Sequence, residues 1–359
     1  MAFSTLPGGS GDDVYHVDSS TQKVVEYFGG GYDTVIASVS FDAGSQEIEV
    51  LSASAKSTGL HLTGNQYTQE IWGSMGQDVL SDGGHHDAMI TMAGGLGNDT
   101  YIVSSYDDVI VEQAGASNGF DTIQTDLCAY ELACNVEVLR YSGSGSFEGY
   151  GNELNNAIYG GAGDDTLDGG GGTDRLVGGA GNDVYYINDL TDFVVEAADG
   201  GFDVMFAQTM MAKAAPNVEV LIFQGEGAFT GFANDQGTIL IGSYSDDTLI
   251  GGASTDVLYG SWGANKLTGG GGSDVFVFDN KWSENNRVTD FQHGIDLITI
   301  SQDDYGVDHL GASVNEAMIA YDNGVLFYDP TGSADTSDRV VIATFDGRPT
   351  VTNSDFLFI

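Results

Sequence analysis

Residues 160–186 read GGAGDDTLD, GGGGTDRLV and GGAGNDVYY, three nine-residue units in a row. Each carries aspartate at its sixth place, Asp165, Asp174 and Asp183, behind a run of glycines. Glycines at the first, second and fourth places permit positive φ and a tight curl that turns carbonyl oxygens inward. A carboxylate beside such a curl makes an all-oxygen ligand set, with no thiolate or imidazole, which suits Ca2+. A second array starts at Ala233, Gly242, Gly251, Gly260 and Gly269, with Thr238, Asp247, Asp256, Asn265 and Asp274 at its sixth places. A weaker array starts at Gly64, Gly73 and Asp82, with Asp78 and Asp87 at sixth places; the unit at Gly94 carries Asp99.

The eighth places are apolar: Leu167, Leu176 and Tyr185, then Leu249, Leu258, Leu267 and Phe276. One unit is therefore a turn plus a short strand, half of a coil. Two units complete the coil, so units two apart stack on one side. The eighth-place side chains line a thin interior, and the turns form columns of oxygens. The expected ion-sharing pairs are Asp165 with Asp183, Asp247 with Asn265, and Asp256 with Asp274. Asn265 keeps an oxygen ligand but drops a charge, so its site is the weaker one.

These arrays sit inside a longer repeat of about 85 residues. GGSGDDVYHV, GGLGNDTYIV and GGAGNDVYYI begin at Gly8, Gly94 and Gly178. Each leads into a strand-rich stretch with matching landmarks: Asp33, Asp121 and Asp203, then Leu51, Leu139 and Leu221. Asp33 lies outside the nine-residue rhythm, so it is expected to matter less for metal than Asp256. Residues 91–93 interrupt the rhythm before Gly94, and the first array, with His85 and His86, has lost glycines. Those histidines are expected to be solvated turn surface.

With 53 Asp+Glu against 10 Lys+Arg, the net charge is −43. Such a chain does not seek nucleic acid or an anionic membrane. Aromatic and β-branched runs such as DVFVF argue for strands rather than disorder. No apolar run reaches the ~20 residues of a membrane span, and no secretory leader is visible at the N-terminus. Cys128 and Cys134 are read as small apolar residues, with a local disulfide as the alternative. No His-Glu-x-x-His, Gly-x-Ser-x-Gly or phosphate-binding Gly-Lys-Ser/Thr occurs, so no catalysis is expected of this chain.

The nonapeptides and their long modules resemble the RTX (repeat-in-toxin, hemolysin-type) proteins. The ending, with SDVFVFDN, VTDFQHGIDLITIS, GVLFYDPTGS, VVIATFDG and SDFLFI, resembles their C-terminal type I secretion domain. The resemblance implies an all-β fold: parallel β-roll (β-solenoid) arrays alternating with strand-rich extended segments, capped by a C-terminal β domain. It implies modules at 1–93 (degenerate array about 64–93), 94–177 (array from 151, running on to 186) and 178–273 (array 233–277), then the capping and secretion domain at 274–359. It also implies several calcium ions held by main-chain carbonyls of the first and third places, Gly160, Ala162, Gly169, Gly171, Gly178, Ala180, Gly251, Ala253, Gly269 and Gly271. The sixth-place residues, Asp78 and Asp99 among them, complete the ligands.

Residues Asp355, Phe356, Leu357, Phe358 and Ile359 are the implied secretion signal, read by a type I ABC transporter, and the protein is expected outside the cell. Two function classes stay open. One is a structural, adhesive or surface-associated protein, with cell-surface glycans or other surface proteins as partners. The other is the calcium-folded export module of a larger secreted enzyme.

Overall fold

A computed structural model of the chain describes residues 4–85, 89–115, 119–279, 285–307, 310, 317–332 and 337–359; His86 and Asp87 lie outside them. The chain divides into two compact units, Met1–Gly179 and Ala180–Ile359. In both, strands of mostly three to five residues alternate inward and outward side chains, the period-two pattern of a pleated surface. Outside the C-terminal strands at 318–345, successive strands do not pair with their sequence neighbours. They pair in parallel with the strand one coil later, so each unit is a parallel β-solenoid.

In the first unit, one apolar column runs through Leu80, Tyr101, Ile123, Leu139, Ile158 and Leu176, each directly opposite the next. In the second, Tyr185, Met205, Leu221, Leu240, Leu258, Phe276 and Ile298 form the same kind of column. All of these side chains are buried. The eighth-place residues of the sequence pattern therefore line the interior, as the nine-residue rhythm requires.

The strand-rich segments are coils of the solenoid in each unit, not a separate fold. Thr34–Ala37, Thr122–Thr125 and Val204–Ala207 are rungs of these parallel sheets. What distinguishes them is turn length. Along the second unit, sixth-place residues and their partners on the next coil are 18 residues apart in the array but 20 and 16 apart in the strand-rich part. Thr91–Ala93, read from sequence as an interruption, is a strand that pairs with Glu70–Trp72 on one side and Val109–Ile110 on the other.

The C-terminal part continues the solenoid before departing from it. Leu297–Ile300 pairs in parallel with Val275–Phe278, and Phe356–Phe358 then pairs with Leu297–Ile300. On the other face, Val340–Phe345 pairs in parallel with Asn286–Val288 and antiparallel with Val325–Asp329, which forms a hairpin with Met318–Asp322. These antiparallel strands extend the sheet beyond the repeats, where a solenoid would otherwise end on a bare edge.

One consequence is quantitative. Leu258 is fully buried between Leu240 and Phe276, whereas Lys266 points outward from its strand. Leu258→Ala should cost about 2–5 kcal/mol in urea denaturation, and Lys266→Ala less than about 0.5 kcal/mol. Equal costs would contradict a core carried by the inward-facing side chains of the strands.

Candidate metal centre

Seven sixth-place carboxylates each join two coils. The Oδ1 of each accepts a hydrogen bond from the backbone N–H of the equivalent residue one coil earlier. Asp247 accepts from Phe229 at 2.7 Å, Asp256 from Thr238 at 2.7 Å, and Asp274 from Asp256 at 3.0 Å. Asp165 accepts from Phe147 at 2.8 Å, Asp174 from Asn156 at 2.7 Å, Asp78 from Leu60 at 2.6 Å, and Asp99 from Asp78 at 2.8 Å. Asp296, which the nine-residue count passes over, continues the column by accepting from Asp274 at 3.0 Å. The pairs Asp247 with Asn265 and Asp256 with Asp274 are thus neighbours. Asp165 belongs to the first unit and Asp183 to the second.

The second carboxylate oxygen divides the turns into two kinds. In closed turns it accepts the N–H of the second place of its own unit. Ser74 donates to Asp78 at 2.6 Å, Ser243 to Asp247 at 2.5 Å, and Gly252 to Asp256 at 2.6 Å. In open turns the second place is a glycine with positive φ. Gly95 has φ 102° before Asp99, and Gly270 has φ 91° before Asp274. The Oδ2 atoms of Asp99 and Asp274 are buried with no hydrogen-bond partner. Gly161, Gly170 and Gly179 adopt the same positive φ in the units of Asp165, Asp174 and Asp183.

First-place glycine has another cause. Its φ is not positive at Gly160, Gly169 or Gly269. A Cβ there would lie 2.1 Å from Oδ2 of Asp165, 2.1 Å from Oδ2 of Asp174 and 2.4 Å from Oδ2 of Asp274. Glycine at this place clears room for the carboxylate rather than for the turn.

Asn265 is a third case. Its Oδ1 accepts from Asp247 N–H at 2.9 Å, while its Nδ2 donates to the third-place carbonyl of Trp262 at 3.0 Å. The amide thus occupies, with its own donor, a carbonyl that a cation would otherwise draw on. Asn152 and Asn234 do the same to two turn carbonyls each, at 2.8 Å.

Burial makes the open carboxylates expensive to ionise. It pushes Asp99 up to about 7, with the charges of Asp121 and Asp78 adding to the effect, and Asp274 up to about 6, with Asp296 adding. The cationic partner that would offset this is scarce in a chain with 10 Lys+Arg. Oxygen-only donors, an unpartnered buried carboxylate oxygen and a cleared first place fit a hard cation such as Ca2+.

The nine-residue rhythm missed a further set. One carboxylate oxygen from each of Asp13, Glu26 and Asp33 lies within 4.8 Å of the others; Asp99, Glu112 and Asp121 do likewise, as do Asp183, Glu196 and Asp203. Asp33 is therefore at a carboxylate cluster, although it lies outside the rhythm. The signal was present in the long repeat, since each glutamate follows Tyr15, Tyr101 or Tyr185 by 11 residues.

Of the remaining sequence candidates, Cys128 and Cys134 are free and exposed, with no disulfide. Asp355 is buried and accepts hydrogen bonds from Gly294 N–H at 3.0 Å and Thr352 N–H at 2.6 Å, with His293 Nδ1 at 2.8 Å. Residues 356–358 form the final strand. No helix among the described residues is long and apolar enough to cross a membrane.

One comparison with known proteins bears on this chemistry. The family model of the RTX calcium-binding nonapeptide repeat matches residues 150–185 and 241–276, in four copies. A stretch of 110 residues is 37% identical to endo-1,3-1,4-beta-glycanase ExsH of Rhizobium meliloti (strain 1021), covering 31% of this chain and 20% of that enzyme. The extracellular lipase LipA from Serratia marcescens aligns over 68% of this chain and 45% of the lipase, at 17% identity and a TM-score of 0.28. The chain thus spans a fifth of the glycanase and less than half of the lipase. The chain thus carries RTX calcium-binding nonapeptide repeats, at residues 150–185 and 241–276, on a parallel β-solenoid.

Proposed function

We propose that this is a secreted calcium-binding protein whose solenoid is held together by Ca2+ at its open turns, and that it acts as a structural, adhesive or surface-associated protein without catalysis of its own. The observation that carries this reading is the buried, unpartnered Oδ2 of Asp274, inside a turn that matches the RTX repeat. Closed turns satisfy their own carboxylates and need no ion. Calcium is the currency of such a design because its extracellular concentration matches the weak sites of extracellular modules, with dissociation constants of about 10⁻⁴–10⁻³ M. In a cell interior kept low in calcium, the same carboxylates repel and the chain stays loose, a state suited to passage through an exporter.

A second reading is supported by the glycanase alignment, which covers a small part of a longer enzyme. There, this chain is the calcium-folded portion of a larger secreted protein, and catalysis lies in that larger protein. Both readings share the open turns and the export route.

The tail belongs to the same proposal. The strand Phe356–Phe358 and Ile359 form an apolar ending whose Leu357 and Ile359 are exposed. In the unfolded chain this ending serves as the address for a type I ABC transporter. Deleting residues 355–359 should abolish export from a host that carries the cognate transporter; normal export would place the address elsewhere.

The open and closed turns give a sharper expectation. Asp274→Ala should lower the number of calcium ions counted after equilibrium dialysis. Asp256→Ala should leave that count unchanged and instead reduce stability, because the N–H groups of Thr238 and Gly252 lose their acceptor at about 1–3 kcal/mol each. Loss of ions from both variants would erase the distinction between the two kinds of turn.

A further inference from the structure

Three coils, one in each long module, repeat a geometry that the nonapeptide pattern does not contain. In each, the buried tyrosine at the inner face donates its hydroxyl to a glutamate on the following turn: Tyr15 to Glu26, Tyr101 to Glu112, Tyr185 to Glu196. The other oxygen of each glutamate accepts the N–H of the next residue, Tyr27 at 2.8 Å, Gln113 at 3.3 Å and Ala197 at 3.0 Å. Each glutamate side chain is thereby fixed at both ends and brought to two aspartates.

In every cluster one aspartate oxygen is left over. Oδ2 of Asp33, Asp99 and Asp203 has no hydrogen-bond partner, and those residues are 0%, 1% and 0% exposed. The charges that bear on them are other carboxylates: Asp121 and Asp78 on Asp99, and Asp183 and Glu219 on Asp203. Three carboxylates converging within 4.8 Å, with a buried oxygen unspent, lack a positive counterpart. The arrangement recurs in all three long modules, whose segments KVVEYFGGGYD, VIVEQAGASNGFD and FVVEAADGGFD differ in length but keep the glutamate and the aromatic residue before the aspartate.

Glycine again clears the space. A Cβ on Gly8 would lie 1.9 Å from Oε2 of Glu26, and one on Gly94 would lie 2.1 Å from Oδ2 of Asp99. The backbone N–H of Gly94 also donates to the Tyr101 hydroxyl at 2.6 Å, which orients that hydroxyl toward Glu112.

We propose that the triads Asp13–Glu26–Asp33, Asp99–Glu112–Asp121 and Asp183–Glu196–Asp203 are three cation sites of a second class, each taking one hard divalent cation of the calcium type through a tyrosine-latched glutamate. The inference rests on the reading that the open turns take calcium; at Asp99 the open turn and the triad share one bare oxygen and hence one ion, whose ligands then include Glu112, a ligand the turn at Asp274 lacks. Three carboxylates oppose a charge of +2, so these sites fill before the turn at Asp274, where fewer carboxylates converge. Because they recur once per long module, they add a link between coils to the backbone ladder, the aspartate Oδ1 bonds and the apolar column already there.

The test uses the full chain, with calcium counted after equilibrium dialysis and Tb3+ as a luminescent probe excited through tyrosine. The combined variant Glu26→Gln, Glu112→Gln and Glu196→Gln should bind three fewer calcium ions than the wild type. Should that variant fold poorly, Glu112→Gln alone should cost one ion and leave the other two triads filled. The combined variant Tyr15→Phe, Tyr101→Phe and Tyr185→Phe should keep its ions but lose most of the tyrosine-sensitised terbium emission, since the sensitising rings sit on the ligand. A wild-type ion count in the glutamate variants would overturn the triads as sites. If those variants keep the count while Asp274→Ala loses an ion, this inference alone falls; if the wild type binds no calcium, the turn reading falls with it.

Discussion

A buried carboxylate oxygen with nothing to bind is the constraint around which this protein is arranged. The turn column uses one oxygen of each aspartate to tie a coil to its predecessor. The other must be satisfied by the turn itself, by an amide, or by something from outside. At Asp247 and Asp256 the turn bends so that its own N–H reaches the oxygen. Asn265 removes the problem by exchanging the oxygen for a donor. At Asp99 and Asp274 a glycine with positive φ takes the N–H away and leaves the oxygen bare. With so few Lys and Arg, the chain has little positive charge of its own to supply there.

The thin core follows from the same geometry. A coil of 18 residues has room inside for little more than one apolar side chain per strand, so its hydrophobic column is narrow. Repeat stability is a sum of small coil contributions and the interfaces between neighbouring coils. A cation bound at the interface of two coils adds to the term that matters most, reinforcing the ladder, the aspartate Oδ1 bonds and the apolar contacts there. Ligand binding of this kind stabilises only the folded state, and its contribution vanishes when the ligand is dilute. A protein built this way has its folding placed under the control of its surroundings.

Much of this was legible in the sequence, and the parts that were not have identifiable reasons. The nine-residue period located the aspartate column and the apolar column because each repeats at a fixed place: Asp247, Asp256 and Asp274 on one side, Leu249, Leu258 and Phe276 on the other. The period alone could not separate open from closed turns: serine at the second place goes with two closed turns, at Ser74 and Ser243, but Gly252 and Gly270 occupy the same place and differ in φ. First-place glycine was read as a backbone need, whereas its reason is the volume of the carboxylate five residues along the chain, which lies 2.1 Å from where a Cβ on Gly160 would sit. Glu26, Glu112 and Glu196 escaped because coils of unequal length carry them to the aspartates, so their partners are not at multiples of nine. Thr91–Ala93 looked like an interruption for the same reason: a coil of different length still contributes a rung.

Folding with and without calcium at two pH values tests the central claim most directly. Burial raises the carboxyls of Asp99, Asp121 and Glu196 to about 7, 7 and 8, and those of Asp203 and Asp274 to about 6. A carboxyl raised on folding binds its proton more tightly in the folded chain. Stability without a cation is therefore retained below the ordinary carboxylate range and lost as pH rises through about 6–8. In chelator, the β-sheet circular dichroism signal should be weak at pH 8.5 and stronger at pH 5.5, and millimolar calcium at pH 8.5 should restore it. A full signal and an unchanged melting temperature in chelator at pH 8.5 would contradict the account, because the bare oxygens would then need no cation.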